Sequence, residues 1–324
     1  MTLNVPAVST PLKQHLHGAQ CNTSVRRYLA AALADNTVRA YRCDIKHFIA
    51  GGGAIPASPE CVATYLARYA AILSCTTLSR RVAAIGRAHI TQGLPSPVQS
   101  KLVSATLRGI RRLRGRPPRQ AAPLQLSDVV RLVSGLKGLR GLRDKALLLI
   151  GFAGALRRSE LVSLDVGDVQ FVAEGVMIRL RRSKTDQEGH GRVVAIPCTG
   201  GRDCPTCALR AWQQQALIAT GALFRRVNRY DQLLAQRLSA QSVALIIKER
   251  AAAAGLNADR YSGHSLRAGF ATNAAHAGAS TFSIRAQTGH KSDAMLQRYI
   301  RDGDLFRNNP NLKIWSSTLR KCKP

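Results

Sequence analysis

Hydrophobic positions recur every three or four residues through the first third of the chain, which is the spacing of one face of an α-helix. After Asn36, for example, Tyr41, Ile45 and Phe48 follow this spacing, and Gly51 comes next as a terminator. The pattern predicts a bundle of five helices with basic outer faces. They are expected over about 24–34, from Asn36-Thr37 to Gly51, from Ser58-Pro59, from Thr76 or Thr77, and after Ser96-Pro97.

The rest of the chain mixes helical and strand-like patterns. A helix is predicted over about 127–135, and a dense apolar run from Asp144 to Gly154 indicates a second, buried helix. Apolar and polar residues then alternate, which is the period of a half-buried strand. Strands are predicted at Val169–Val172, Val176–Leu180 and Val193–Ile196, with further helices at Ala208–Gly221 and Gln241–Ala254. The expected fold class is mainly α with a small antiparallel β-sheet.

Composition divides the chain into two domains with extensions. Every charged residue in the run from Arg108 to Arg119, RGIRRLRGRPPR, is an arginine. Pro117-Pro118 is expected to end the helix there. We therefore expect a basic linker that lies along a phosphate backbone. The predicted boundaries are 1–20 for a flexible arm, 21–113 for a helical domain, 114–123 for the linker, 124–302 for a second domain and 303–324 for a tail.

Charge is the property in which the chain departs most from an ordinary globular protein. It carries 48 Lys and Arg against 18 Asp and Glu, a formal net charge of +30. Residues 1–123 hold 17 basic and 3 acidic residues, a net charge of +14. The remainder holds 31 basic and 15 acidic residues, a net charge of +16. Self-repulsion at such a charge opposes compaction, so a polyanion is expected to contact both domains. The excess of Arg, with its planar fork of donors, favours a phosphodiester polymer.

Location and cysteine chemistry follow from what the sequence lacks. It has no apolar run long enough for a transmembrane helix and no N-terminal signal pattern, so a cytoplasmic chain with free thiols is expected. Cys198, Cys204 and Cys207 form a C-x5-C-x2-C cluster. A zinc site would need a fourth ligand, for which His190 is nearest in sequence. The sequence favours a loop with free thiols over a metal site.

Several side chains that can support phosphoryl transfer lie in the second domain. Each alone is more often structural: a helix His usually packs, and a loop Lys such as Lys184 usually faces solvent. Together they suit a metal-free reaction, because cations stabilise the transition state, Tyr forms covalent esters, and His and Lys exchange protons. No acidic cluster is present to hold Mg²⁺, which disfavours two-metal nuclease chemistry. The candidates are Arg157, Lys184, His264, Arg267, His290 and Tyr299.

The order of these residues resembles the tyrosine recombinase (lambda-integrase) family. Its box I matches Leu156-Arg157-Arg158-Ser159-Glu160-Leu161, and its box II matches His264-Ser265-Leu266-Arg267. The family's remaining elements match Gly289-His290, Tyr299 in QRYIR and Lys184 in RSKT. The resemblance covers about residues 24–310 and looks closest to the Cre-like branch, through stretches such as TLRGIRRLR. One departure from Cre is His290, where that enzyme has Trp.

The resemblance implies a fold and a set of roles. The N-terminal domain would be a helical (SAM-like) core-binding bundle, and the C-terminal domain an α+β catalytic domain. Tyr299 would attack the scissile phosphate, Arg157 and Arg267 would bind its non-bridging oxygens, and Glu160 would orient the site. Lys184 would protonate the leaving oxygen, His264 would be the general base, and His290 would hydrogen-bond the phosphate or the tyrosine oxygen.

The implied partner is double-stranded DNA that carries an inverted-repeat site around a short spacer. A homotetramer would bind two such sites, and the reaction would pass through a Holliday junction. No cofactor, metal or ATP is implied, and accessory proteins are possible. The expected DNA-contacting residues are Arg39, Arg42, Arg80, Arg81, Arg87, Arg108, Arg111, Arg112 and, as a base reader, Gln241.

Two other functions remain open from the residues. A type IB topoisomerase would use similar Tyr, Arg, His and Lys chemistry to relax DNA as a monomer. A DNA-binding accessory protein with a vestigial site would keep the basic faces but perform no cleavage. The residues leave open the target sequence, and integration, plasmid dimer resolution, cointegrate resolution and inversion are equally compatible with them.

Overall fold

The computed structural model describes residues 28, 34–116, 121–181, 191–290, 292, 296, 299 and 310–315. The predicted arm, most of the first helix, part of the linker, Lys184 and most of the tail lie outside these residues. The chain divides into two compact units, Met1–Pro118 and Arg119–Pro324. Within the described residues, no helix has both the length and the apolar character that a membrane crossing requires.

The first unit is helical, as the apolar spacing predicts. Its core is formed by fully buried apolar side chains such as Phe48, Leu66 and Leu78. Ser58 caps the second helix by accepting a hydrogen bond from the N–H of Cys61, with Pro59 at the first helical position. The helices are α1 at Asp35–Ala50, α2 at Pro59–Tyr69, α3 at Cys75–Thr91 and α4 at Lys101–Arg114, with a 3-10 turn at Pro97–Gln99.

Two local predictions in this unit are wrong. The N-cap of α1 is Ala34 in extended conformation without a side-chain hydrogen bond, rather than Asn36 or Thr37. The fifth predicted helix begins only after Ser100, rather than directly after Ser96-Pro97. This helix, α4, buries a narrow face, through Val103 and Ile110, against the other helices.

Arg81 is a third correction, because it does not lie on an exposed basic face. The residue is 8% exposed, and its Nη1 donates to the hydroxyl of Tyr65 at 2.8 Å and to Nδ1 of His47 at 2.8 Å. The buried Asp44 carboxylate lies 3.5 Å from its Nε and also accepts from Arg80 at 2.7 Å. Arg81 therefore joins α1, α2 and α3 inside the bundle.

The second unit surrounds a long buried helix with further helices and a small sheet. In that helix, α6, Ala146, Leu147 and Ile150 are fully buried. The described helices of this unit are α5 at Leu126–Val133, α6 at Gly138–Ala153, α7 at Arg158–Ser163, α8 at Pro205–Gln215, α9 at Ala240–Ala253, α10 at Ser265–His276, α11 at Thr281–Thr288 and α12 at Pro310–Trp315.

The three predicted strands form an antiparallel sheet in the order β1-β2-β3. Ile178 in the central strand pairs with Val169 on one side and Val194 on the other, and the inner residues join the core of the unit. The fold class predicted from the sequence is thus confirmed. The strands are β1 at Val169–Val172, β2 at Gly175–Leu180 and β3 at Arg192–Pro197.

A second hairpin was not predicted. It pairs β4, Arg225–Val227, with β5, Leu233–Arg237, and its strands are mostly half-buried or exposed, so they carry little alternation. The helix expected to reach Gly221 also stops earlier, at Gln215. Leu217 has a positive φ of 51°, which the helix cannot continue through.

Candidate active site

The C-terminus of α6 turns the chain so that Arg157 enters the site. Gly154 caps the helix, and Ala155 has φ 48°, a left-handed conformation that glycine more often adopts. The N–H of Ala155 donates to the carbonyl of Phe152, and that of Leu156 to the carbonyl of Gly151. This pair of bonds is a Schellman motif, which ends the helix and fixes the direction of the next segment.

Arg157 is held by Glu160, three residues further along. The Glu160 carboxylate accepts from the backbone N–H of Arg157 at 2.9 Å and from its Nη1 at 2.5 Å. Glu160 is only 2% exposed, so its charge is balanced within the protein. It therefore both caps α7 and fixes the guanidinium in place before any ligand arrives.

Arg267 is the most buried cation of the site, at 1% exposure. Its Nη1 donates to the carbonyl of Ala155 at 2.8 Å, while Nη2 is buried without a hydrogen-bond partner among the described residues. Burial and the neighbouring charge of Arg157 lower the pKa of Arg267 to about 10. A buried guanidinium with an unused donor is suited to an anionic oxygen, which would restore the missing bond.

His290 follows Gly289, which ends α11 in the left-handed conformation with φ 66°. Nδ1 of His290 lies 2.8 Å from the hydroxyl of Thr288, and that hydroxyl donates to the carbonyl of Ile284 at 2.7 Å. Because the hydroxyl has one proton, Nδ1 must be the donor, which leaves Nε2 as the acceptor of a neutral ring. Burial first, and then Arg267 and Arg157, lower the pKa of His290 to about 4.

His264 is the N-cap residue of α10 and contacts the tyrosine directly. Its Nε2 lies 2.7 Å from the hydroxyl of Tyr299. Burial, with the charges of Arg267 and Arg157, lowers the pKa of His264, so the ring is neutral near pH 7 and can accept the phenol proton. Tyr299 packs against the small buried cluster that includes Ile284 and Leu296, and its ring centroid lies 6.1 Å from that of His290.

Arg192 is a member of this cluster that the sequence did not indicate. It begins β3, and its Nη1 donates to the carbonyl of Gln287 at 2.6 Å, at the end of α11. Its Nη2 lies 3.6 Å from Glu160, which therefore faces two arginines. Burial lowers the pKa of Arg192. A lone Arg at the start of a predicted strand gives no signal of burial, because most such residues face solvent.

The structure thus brings together Arg157, Glu160, His264, Arg267, His290 and Tyr299, while Lys184 lies outside the described residues. Three guanidinium groups, one carboxylate and two neutral imidazoles leave the cluster with an excess of positive charge. That excess suits a phosphate whose negative charge grows in the transition state.

The candidate DNA-contacting residues occupy different surroundings. Arg80 is exposed but already paired with Asp44, and Arg111 donates to the hydroxyl of Ser79. Arg81 is buried within the helical bundle. The remaining candidates, Arg39, Arg42, Arg87, Arg108, Arg112 and Gln241, are exposed.

Comparison with known proteins identifies the family. Residues 124–304 match the model of the phage integrase family. An integrase/recombinase xerD homolog of Selenomonas ruminantium is 41% identical over 88% of this chain and 86% of the relative. A tyrosine recombinase XerC of Herpetosiphon aurantiacus is 28% identical over 82% and 85% of the two chains.

Solved structures show the same fold. A lambda integrase dimer bound to a COC′ core site matches with a TM-score of 0.60 at 17% identity, over 93% of this chain and 78% of that chain. The Tn1549 transposon integrase in complex with transposon right end DNA matches with a TM-score of 0.58 at 13% identity, over 95% of this chain and 99% of that chain.

The chain belongs to the phage integrase family. It is a tyrosine recombinase, an enzyme of site-specific DNA recombination, as the motifs predict. The two relatives from Selenomonas and Herpetosiphon carry Xer names, and the finer resemblance to the Cre-like branch stays a prediction.

Proposed function

We propose that this chain cuts and rejoins duplex DNA through a covalent 3′-phosphotyrosyl intermediate on Tyr299. The observation that carries this assignment is the 2.7 Å contact between the Tyr299 hydroxyl and Nε2 of His264, beside the buried Arg267 and the half-buried Arg157. The phenol oxygen attacks the scissile phosphorus, its proton passes to His264, and the 5′-oxygen leaves. The reverse attack by a 5′-hydroxyl rejoins the strand.

The other residues act on the phosphate. Arg157 and the unused donor of Arg267 bind the non-bridging oxygens, and Glu160 holds Arg157 ready for them. The bound phosphate also adds negative charge beside His290, which raises the pKa of His290 and favours a protonated Nε2 that donates to a phosphate oxygen. Lys184, by its match to the family's hairpin lysine, protonates the leaving 5′-oxygen.

The proposed substrate is double-stranded DNA carrying two inverted half-sites around a short spacer. Exposed arginines of the first unit and Gln241 of α9 contact the duplex, and the basic linker follows its backbone. A lambda integrase tetramer has been solved on a Holliday junction, with a TM-score of 0.57 to this chain. By analogy with that protein, we propose that four copies of this chain exchange strands between two sites.

The predicted domain roles complete the proposal. Residues 21–113 bind the core site, 114–123 link the domains, 124–302 perform the cleavage, and the tail 303–324 docks on a neighbouring copy. Ile314 and Trp315 of α12 are 66% and 59% exposed, which suits an apolar contact with another subunit. As a DNA enzyme with bacterial relatives, the chain is expected to act in the cytoplasm of a bacterium, encoded there or on a phage or plasmid.

A suicide substrate tests the reaction. The bound site is first mapped by footprinting, and a nick placed in its spacer then lets the cleaved end diffuse away. Wild type should form a covalent protein–DNA complex that survives SDS, and Tyr299→Phe should bind the site without forming one. Tyr41→Phe, which changes a partly buried tyrosine of the first unit, is the matched control and should cleave normally.

The two alternatives give different results in the same system. A topoisomerase would relax plasmid that lacks the mapped site, and an accessory protein would bind the site without any covalent complex. Failure of the wild type to form the complex on its footprinted site would remove the catalytic proposal.

A further inference from the structure

Three cysteines converge at the end of β3, away from the residues that the proposed reaction uses. Cys198 follows the last residue of β3, Cys204 is the N-cap of α8, and Cys207 lies in the first turn of that helix. The Sγ of Cys198 is 3.8 Å from the Sγ of Cys204 and 3.9 Å from the Sγ of Cys207. All three sulfur atoms lie within 4.8 Å of one another.

These separations match a metal site better than a disulfide. Three thiolates at about 2.3 Å from a tetrahedral zinc ion stand about 3.8 Å apart. A disulfide brings two sulfur atoms to about 2.0 Å and leaves the third cysteine without a function. Soft thiolate ligands favour zinc over magnesium, calcium or manganese.

Backbone conformation and hydrogen bonds support this arrangement of the three cysteines. The intervening loop turns through Gly200 and Gly201, with φ of 67° and 75°, values that only glycine adopts readily. The N–H of Cys198 donates to the carbonyl of Glu174 at 2.7 Å. Lys145 of α6 holds the other end of the loop, donating to the carbonyl of Arg202 at 2.8 Å and pairing with Asp203 at 2.9 Å.

The N-terminus of α8 lies beside Cys204 and Cys207, and its free N–H groups would stabilise the negative charge of a thiolate there.

We propose that Cys198, Cys204 and Cys207 bind one zinc ion through three thiolates. Each thiol releases its proton on binding, and no electrons are transferred. Among the described residues, no further His, Cys, Asp or Glu belongs to the group. Cys198 and Cys207 are exposed, so a water molecule or another small ligand from solvent can occupy the fourth position. His190, the fourth ligand that the sequence suggested, lies outside the described residues.

The site would connect β3 to α8. The same strand begins with Arg192, which contacts Glu160 and the end of α11 in the catalytic cluster. A metal at one end of a six-residue strand would limit the movement of the strand as a whole. The role is therefore structural, and zinc takes no part in the cleavage step.

The experiment measures metal in the full-length protein. Elemental analysis of the wild type purified in zinc-containing buffer and then dialysed should find about one zinc per chain. Replacement by Co²⁺ should give a sulfur-to-cobalt charge-transfer band and the visible bands of a tetrahedral ion. Cys207→Ser, which changes an exposed side chain outside the core, should lose both signals. Cys43→Ser, an exposed cysteine of the first unit, is the matched control and should keep them.

Thermal unfolding with and without a chelator gives a second measurement. Chelation should lower the melting temperature of the wild type and of Cys43→Ser, and leave that of Cys207→Ser unchanged. Three outcomes would each overturn the proposal: no metal with three freely reactive thiols, a disulfide between two of the cysteines, or zinc retained equally by Cys207→Ser.

Discussion

At the scale of single residues, the site is organised by a few buried charges whose partners are fixed before DNA binds. Glu160 accepts hydrogen bonds from both the backbone N–H and the side chain of Arg157. The carbonyl of Ala155 accepts a hydrogen bond from Nη1 of Arg267. Among the described residues, unused guanidinium nitrogens remain on Arg267 and Arg192, together with two imidazoles whose pKa values are lowered. Such preorganisation lowers the barrier because little rearrangement is needed at the moment of reaction.

Arg267→Lys should abolish most of the cleavage while leaving the fold intact. A lysine can reach either the Ala155 carbonyl or a phosphate oxygen, whereas the arginine can serve both. Loss of one transition-state donor costs about 10²–10³ in rate. Single-turnover cleavage of the suicide substrate measures this, with Arg131→Lys as the control, since Arg131 donates to the carbonyl of Ala254 at 2.7 Å and is not one of the cluster residues. Cleavage by Arg267→Lys at a rate close to that of the wild type would remove Arg267 from its role.

The pKa of His290 predicts a pH-dependent stability. Its ordinary value of 6.5 applies to the unfolded chain, while the folded value is about 4. Between these values the unfolded state binds more protons, so the free energy of unfolding falls as pH decreases from about 6.5 to 4. The difference between wild type and His290→Gln, measured by denaturant unfolding of the DNA-free protein, should shrink over that window. A difference that stays constant would show that His290 titrates normally in the fold.

The residues that carry family motifs could be predicted from the sequence. Residues whose place depends on tertiary packing could not. Arg157, His264, Arg267, His290 and Tyr299 stand in short recognisable patterns, and the structure places them together. Arg192 has no pattern, and only the tertiary contact with Glu160 reveals it. Arg81 shows the opposite error, since the sequence predicted an exposed basic residue there. In the structure it is buried among three polar partners, His47, Tyr65 and Asp44.

At the scale of elements, the termini of helices and strands deliver the reactive groups. Arg157 lies just after the end of α6, His264 lies at the start of α10, and His290 lies just after the end of α11. Apolar patterning predicted α6, because that helix is buried without interruption from Ala146 to Phe152. It did not predict the β4–β5 hairpin, whose strands have little buried surface.

Gly289→Ala tests whether the end of α11 supports the site. A Cβ at Gly289 would strain a backbone with φ 66° and lie 2.9 Å from Nε of Arg192. Gly135→Ala is the matched control, with φ 70° and open space around the added carbon. Both variants should lose about 1–2 kcal/mol of stability, the usual cost of the left-handed conformation for a residue with a Cβ. Only Gly289→Ala should also slow cleavage at a temperature where both are folded; equal cleavage rates would contradict this role.

At the scale of the whole molecule, the net charge of +30 dominates the expected behaviour. Both parts of the chain are basic, and in the family that the comparisons identify the substrate is itself a polyanion. Binding should therefore release counterions from DNA and weaken steeply as salt increases.

Arg87→Gln should reduce the salt dependence of DNA binding if Arg87 binds a phosphate. The slope of log K against log salt changes by about one for each phosphate that the protein no longer neutralises. Arg140→Gln is the control, since Arg140 is exposed but already paired with Glu249 at 2.8 Å. Fluorescence anisotropy over a salt series gives both slopes, and identical slopes for the two variants would place Arg87 away from the DNA.

We propose that Arg157, Glu160, His264, Arg267, His290 and Tyr299 act as one active site, with Tyr299 as its nucleophile. The most direct measurement is to trap the covalent complex on the nicked substrate, digest its protein and DNA, and locate the nucleotide-modified peptide by mass spectrometry. We predict a single adduct on the hydroxyl of Tyr299. An adduct on another residue, or strand cleavage without any covalent adduct, would contradict this assignment.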